Sequence, residues 1–107
     1  MWVVRMRIIK TSTLREFWEA HREAETSLRR WVQQTKAAVW RSFPEVRRTF
    51  PSADFVVVTS GHPAVVFDIA NNRYRLIAAV HYNMGIVYTL MILTHKEYDR
   101  GDWKDRL

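Results

Sequence analysis

The sequence predicts an α+β fold, with two to three N-terminal helices packed on a mainly antiparallel β-sheet. Three observations point there. Apolar residues recur at helical spacing in much of the chain before Pro51. After Pro51 the texture turns β-branched and aromatic. The turns between those later segments are too short for anything but antiparallel neighbours. Helices segregated ahead of strands imply two packed layers. The expected order is β-α-α-(α)-β-β-β-α.

Met6–Ile9 reads as a short strand. Thr13 and Glu16 have the spacing of a capping box, in which hydroxyl and carboxylate each satisfy a free backbone N–H. A helix runs from there to about Ala20, with Leu14, Phe17 and Trp18 inward. A longer helix, roughly Glu23–Val39, carries Ala24, Leu28, Trp31, Val32, Thr35 and Val39 on one stripe. In and around it, Arg22, Arg29, Arg30, Gln33, Lys36 and Arg41 lie mostly off that stripe. Ser42 and Glu45 form a second capping-box pattern, with Pro44 in the first turn, where a missing N–H costs nothing. That short helix ends near Phe50, with Phe43, Val46 and Phe50 on one face and Arg47 and Arg48 beside it.

Strands are expected at Phe55–Val58, Ala64–Ala70, Arg73–Tyr82 and Ile86–Leu93, with tight turns at Asn71-Asn72 and Asn83–Gly85. Thr94 and Glu97 repeat the capping-box spacing and open a C-terminal helix. The charged tail, Arg100–Leu107, is expected to fray, with Trp103 its one candidate for packing.

At 107 residues the chain is read as one domain, 1–107. Apolar residues make up 48%, enough for a real core, so disorder is excluded. Lys and Arg number 17 against 11 Asp and Glu, which points to an anionic partner. With no cysteine, disulfide scaffolds, thiolate zinc sites and thiol catalysis are ruled out, and a reducing cytoplasm suits the chain. The start, Met1–Arg5, is too soon interrupted by charge for a signal peptide. No apolar run reaches the length of a membrane span, so no membrane partner is expected.

Hairpin pairing gathers the residues that could do chemistry. The turn at Asn83–Gly85 puts Arg75 opposite Ile92 or Leu93, and Arg73 opposite Thr94 or His95. The turn at Asn71-Asn72 puts Asp68 opposite Arg75. Tyr98 follows His95 by three residues on the last helix, toward the same side. Cross-strand neighbours sit about 5 Å apart, so these groups can share one phosphate. An imidazole titrates near neutrality and serves as acid or base. Guanidiniums match phosphate oxygens. Tyrosine can hold a phosphate or stack on a base. This is the equipment for cutting RNA through its own 2′-hydroxyl, with no cofactor. The four histidines show no metal-ligand spacing, so no metal is expected. Structural readings stand beside these: Arg75 pairing with Asp68, Tyr98 as a rim aromatic, Arg47 and Arg48 as a solvated helix face.

Several blocks carry a family likeness. They are Met6-Arg7-Ile8-Ile9, Thr13–Trp18, Trp40-Arg41-Ser42-Phe43, Arg48–Asp54, Val66-Phe67-Asp68-Ile69, Asn72–Ile77 and Thr94–Asp99. In order and spacing the chain resembles the HigB-type mRNA interferases of the RelE-like toxin superfamily, from Met6 to Trp103. The resemblance implies a curved antiparallel sheet and metal-free cleavage of mRNA, in many members at the ribosome. It also implies neutralisation by a HigA-type antitoxin with a helix-turn-helix domain, DNA being met only through that antitoxin. By the same resemblance the active-site candidates are His95, Arg75, Arg73 and Tyr98, with Arg48 and Lys96 contacting RNA; Arg47 is added from its place beside Arg48. The connection Val56–Pro63, with His62 in it, is longer than the family's usual one. Two other functions fit the same basic face: RNA binding without cleavage, and a degenerate toxin that only holds its antitoxin.

Overall fold

The computed structural model describes residues 5–107; the first four residues of the predicted N-terminal reading lie outside that range. Strand β1 (Arg7–Ile9) leads into α1 (Thr11–Ala20), a 3₁₀ turn (Arg22–Ala24), α2 (Glu25–Ala37) and α3 (Phe43–Thr49). Then come β2 (Asp54–Val57), β3 (Pro63–Ile69), β4 (Tyr74–His81), β5 (Ile86–Thr94), α4 (His95–Arg100) and a closing 3₁₀ turn (Asp102–Arg106). The α+β class is as expected; between α3 and α4 lie four strands, those read residue by residue, rather than the three of the expected order.

The five strands form one sheet in the order β1-β5-β4-β3-β2. Three of the pairings are antiparallel; β1 lies parallel to β5, so the sheet is mixed. The β3–β4 hairpin closes through Asn71-Asn72, both at positive φ, as is Ala70 before them, with Arg73 N–H donating to the Ala70 carbonyl. Positive φ at the two central residues suits a primed turn, whose twist matches that of the strands, and asparagine tolerates the conformation there. Asp68 therefore faces Arg75. In the β4–β5 pair, a bulge between Ile77 and Ala78 shifts the register by one residue. Beyond it Arg75 lies opposite Leu93 and Tyr74 opposite Thr94.

Alternation along the strands divides the side chains between two cores. Val65, Phe67, Ile69, Tyr74 and Leu76 pack against Leu14, Leu28, Trp31, Trp40 and Val46 of the helical layer. Val66, Ile77 and Leu93 turn the other way, to Val58 and Trp103. Asp68 and Arg75 belong to this second face.

Four local expectations need correction. Helix α1 starts at Thr11 behind a left-handed Lys10, so Thr13 is inside the first turn and the Thr13–Glu16 box does not form. At α3, Ser42 is the N-cap but makes no side-chain bond; Glu45 instead accepts the Arg41 N–H at 2.7 Å. The long helix begins as a 3₁₀ turn and ends at Ala37. The tail does not fray. Trp103 is fully buried, its indole N–H donating to the Tyr98 carbonyl at 3.1 Å, and it covers the second face as a partial third layer.

The long connection after β2 is tied to this tail. Thr59 N–H donates to the Lys104 carbonyl, and the Thr59 hydroxyl to Asp105 at 2.6 Å. Among the described residues no helix is long and apolar enough to cross a membrane.

Candidate functional site

The site lies on the second face, where β3, β4 and the start of α4 meet. The Thr94–Glu97 capping box forms as its spacing predicts, Thr94 N–H donating to Glu97 at 2.9 Å and Glu97 N–H to the Thr94 hydroxyl at 3.2 Å. These bonds set where α4 begins, and so where His95 and Tyr98 stand. Accepting the Thr94 N–H holds the Glu97 carboxyl below its ordinary range. Its share of stability is therefore present above the ordinary carboxylate range and lost as pH falls through the lowered value. Thr94→Ala is expected to destabilise the fold by about 0.5–2 kcal/mol, read by urea unfolding.

Arg75 is the centre of the cluster, its side chain only 12% exposed. Its Nε lies 3.1 Å from Asp68 Oδ1, and Nη1 donates to the Asn72 carbonyl at 3.0 Å. Nη2 lies 3.0 Å from His95 Nδ1. A guanidinium only donates, so Nδ1 is the acceptor and the neutral imidazole carries its proton on Nε2. That nitrogen lies 3.1 Å from Asp99 Oδ2. The result is a relay Asp68–Arg75–His95–Asp99, held at one end and open at the other, with His95 and Asp99 more than half exposed.

Tyr98 closes one side. Trp103 stacks on its ring at 5.4 Å, and the Arg75 guanidinium sits 5.5 Å from its centroid. With the ring so engaged, the hydroxyl is what Tyr98 offers. Burial pushes the phenol up, and Asp54 adds to the shift, so it is a hydrogen-bond donor rather than a base at neutral pH. An open depression of about 280 Å³ adjoins it, bounded by Arg47, Asp54, Val66, Asp68, Arg75 and Tyr98.

Of the residues singled out from sequence, Arg75, His95 and Tyr98 come together. Arg73 joins them through its backbone: its carbonyl accepts the His95 N–H at 3.0 Å. Its exposed guanidinium makes no hydrogen bond or ion pair with the cluster among the described residues; its charge reaches Glu23 and Tyr74, which are hydrogen-bonded to each other. Arg47 borders the depression while donating to the Pro51 carbonyl. Arg48 and Lys96 are exposed and stand outside it. Sequence reasoning missed Asp99 and Asp54. Asp99 lies one helical turn after His95, and that spacing was the available signal.

Three curated proteins align with most of the chain: the mRNA interferase toxin HigB of Escherichia coli strain K12, and proteins named mRNA interferase HigB from Escherichia coli O157:H7 and Shigella flexneri. Each is 26% identical over 94 residues, covering 88% of this chain and 88% of the relative. A family model matches residues 24–101, from the 3₁₀ turn before α2 to the glycine that ends α4, and so takes in every member of the Arg75 cluster. The chain belongs to the HigB toxin family, the RelE-like toxic component of a toxin–antitoxin system.

Proposed function

We propose that this protein is the toxin of a type II pair and a metal-independent endoribonuclease that cleaves mRNA in the cytoplasm, bound at the ribosome. The observation that carries the reading is the 3.0 Å contact between Arg75 Nη2 and His95 Nδ1 at an open sheet margin. A phosphate and a general base need that proximity. The name of the relatives, mRNA interferase, supports RNA as the substrate.

The chemistry follows from the relay. An entering phosphodiester draws the Arg75 fork onto its oxygens and away from Nδ1, whose lone pair then faces the 2′-hydroxyl. His95 takes that proton. Asp99, on Nε2–H, holds the ring in this tautomer and stabilises the imidazolium that forms, the role a carboxylate plays behind a catalytic histidine elsewhere. The 2′-oxygen bonds to phosphorus, the bond to the 5′-oxygen breaks, and the leaving oxygen takes a proton from solvent. Arg75 and the Tyr98 hydroxyl stabilise the charge gathering on the phosphate. Arg73, Arg47, Arg48 and Lys96 hold flanking phosphates. A HigA-type antitoxin with a helix-turn-helix domain neutralises the toxin, and only through it is DNA reached.

The test is to map RNA ends after brief expression, wild type beside His95→Ala. Wild type is expected to arrest growth and leave 2′,3′-cyclic phosphate ends. The variant is expected to lose about 10²–10⁴-fold in cleavage rate while remaining folded. Intact transcripts from the wild type would leave only RNA binding or antitoxin binding. Undiminished cleavage by His95→Ala would move the base elsewhere.

A further inference from the structure

Three open depressions run together along one margin of the molecule. The first, of about 280 Å³, is the one beside Arg75 and Tyr98. The second, of about 460 Å³, shares Ser52 and Asp68 with it and continues past Asn71 and Asn72 at the β3–β4 turn. The third, of about 170 Å³, shares Asp68 and lies against Ser27, Arg30 and Gln34 of α2. Those three residues fall at i, i+3 and i+7 on one face of the helix, about 10 Å from end to end. The cluster at Arg75 is therefore one end of a groove that rounds the hairpin turn and reaches the helical layer.

Beyond the first depression the polar side chains have their bonding capacity unspent. Arg30, Gln34, Asn71 and Asn72 are exposed and Ser27 is half-buried, and none of their side chains makes a hydrogen bond or ion pair among the described residues. Arg30 differs in this from its neighbours Arg22 and Arg29, both of which are paired with Glu25. Of the carboxylates along the groove, Asp68 is paired with Arg75, and Asp54 stands only in the first depression. One guanidinium among neutral donors matches a sugar–phosphate backbone, because Ser, Asn and Gln side chains bond phosphate and sugar oxygens as Arg does. The rings in the wall, Trp31 buried and Phe50 half-buried, give bases no platform to stack on.

Resting on the reading of single-stranded RNA as substrate, we infer that this groove is a backbone track. The strand leaves the Arg75 centre over Asn71-Asn72 and seats a phosphate remote from the cut on Arg30 and Gln34. These contacts carry no base preference. They add affinity and fix the register of the strand, and they leave the rate of the chemical step alone.

The test uses the full chain and RNA it cannot cut, a 2′-O-methyl uridine octamer titrated by fluorescence anisotropy over a range of salt. Arg30→Ala is expected to weaken binding about tenfold, and Gln34→Ala about threefold. Arg30→Ala should also flatten the slope of log affinity against log salt by about 0.7, the share of one phosphate contact on a single strand, while Gln34→Ala leaves the slope unchanged. Lys36 is the control: it is exposed on the same helix but lies outside the groove, so Lys36→Ala removes the same charge and is expected to cost less than about twofold. On cleavable RNA, Arg30→Ala should raise KM and keep kcat. All the substituted residues are exposed, and circular dichroism checks that the variants fold. Equal losses in Arg30→Ala and Lys36→Ala, or unchanged affinity in Arg30→Ala, overturn the track even where wild type cleaves mRNA. A wild type that binds with the expected dependence on Arg30 but leaves natural mRNA intact supports the track and defeats the cleavage reading, so the two failures are distinct.

Discussion

Arg75→Ala is expected to abolish growth arrest and to lower cleavage by about 10²–10³-fold or more, the loss seen when a preorganised donor to transition-state charge is removed. The side chain holds three things at once. It faces the Asp68 carboxylate, donates to the Asn72 carbonyl behind the hairpin turn, and, before substrate enters, sets the His95 tautomer through Nδ1. Alanine leaves Asp68, 25% exposed, without its cation. Full burial would make the broken pair worth several kcal/mol, and partial solvation reduces that to about 2 kcal/mol. Arg75→Lys separates the effects. A lysine keeps the charge near Asp68 but has no planar fork to span Asp68, Asn72 and His95 together. It should restore most of the stability and little of the cleavage. Urea unfolding and cleavage of a defined mRNA, measured on both variants, decide it. Full cleavage by Arg75→Lys would reduce Arg75 to a source of charge.

Trp103→Ala is expected to carry the largest cost in stability, about 3–5 kcal/mol, as for other buried aromatics cut to alanine. The indole is fully buried between the second face of the sheet and α4. Its loss also takes away the stacking partner of Tyr98 and the hydrogen bond to the Tyr98 carbonyl. Activity should therefore fall beyond what the folded fraction explains, because Tyr98 and the His95 turn share α4. The milder Trp103→Phe keeps most of the apolar contact and loses the N–H, and is expected to retain the fold with a smaller drop in melting temperature. Thermal melts followed by near-ultraviolet circular dichroism read both. An unchanged melting temperature in Trp103→Ala would mean that the tail frays after all.

Much of this was legible in the residues themselves. The asparagine turn between β3 and β4 and the Thr94–Glu97 box are local signals, and each formed where its spacing put it; the hydrophobic period of α2 located that helix but not its ends. Caps at α1 and α3 were misread for a physical reason. A capping box is only two hydrogen bonds, and the chain entering from β1 through a left-handed Lys10, or the Arg41 N–H within reach of Glu45, outcompetes it. The tail was misread because its composition is charged, while its fate hangs on one tryptophan finding a place between Tyr98 and Leu93.

By itself the sequence determined the fold class, the β3–β4 register and the meeting of Arg75 with Asp68 and His95, since these follow from turn lengths and strand alternation. Only the tertiary structure decided which groups share the site. It set Arg73's guanidinium apart, brought in Asp99 and Asp54, turned Tyr98 to offer its hydroxyl rather than its ring, and locked the tail over the second face. Those outcomes depend on strand twist, on a bulge and on packing between segments far apart in the chain, and pairwise spacing along a sequence carries none of that information.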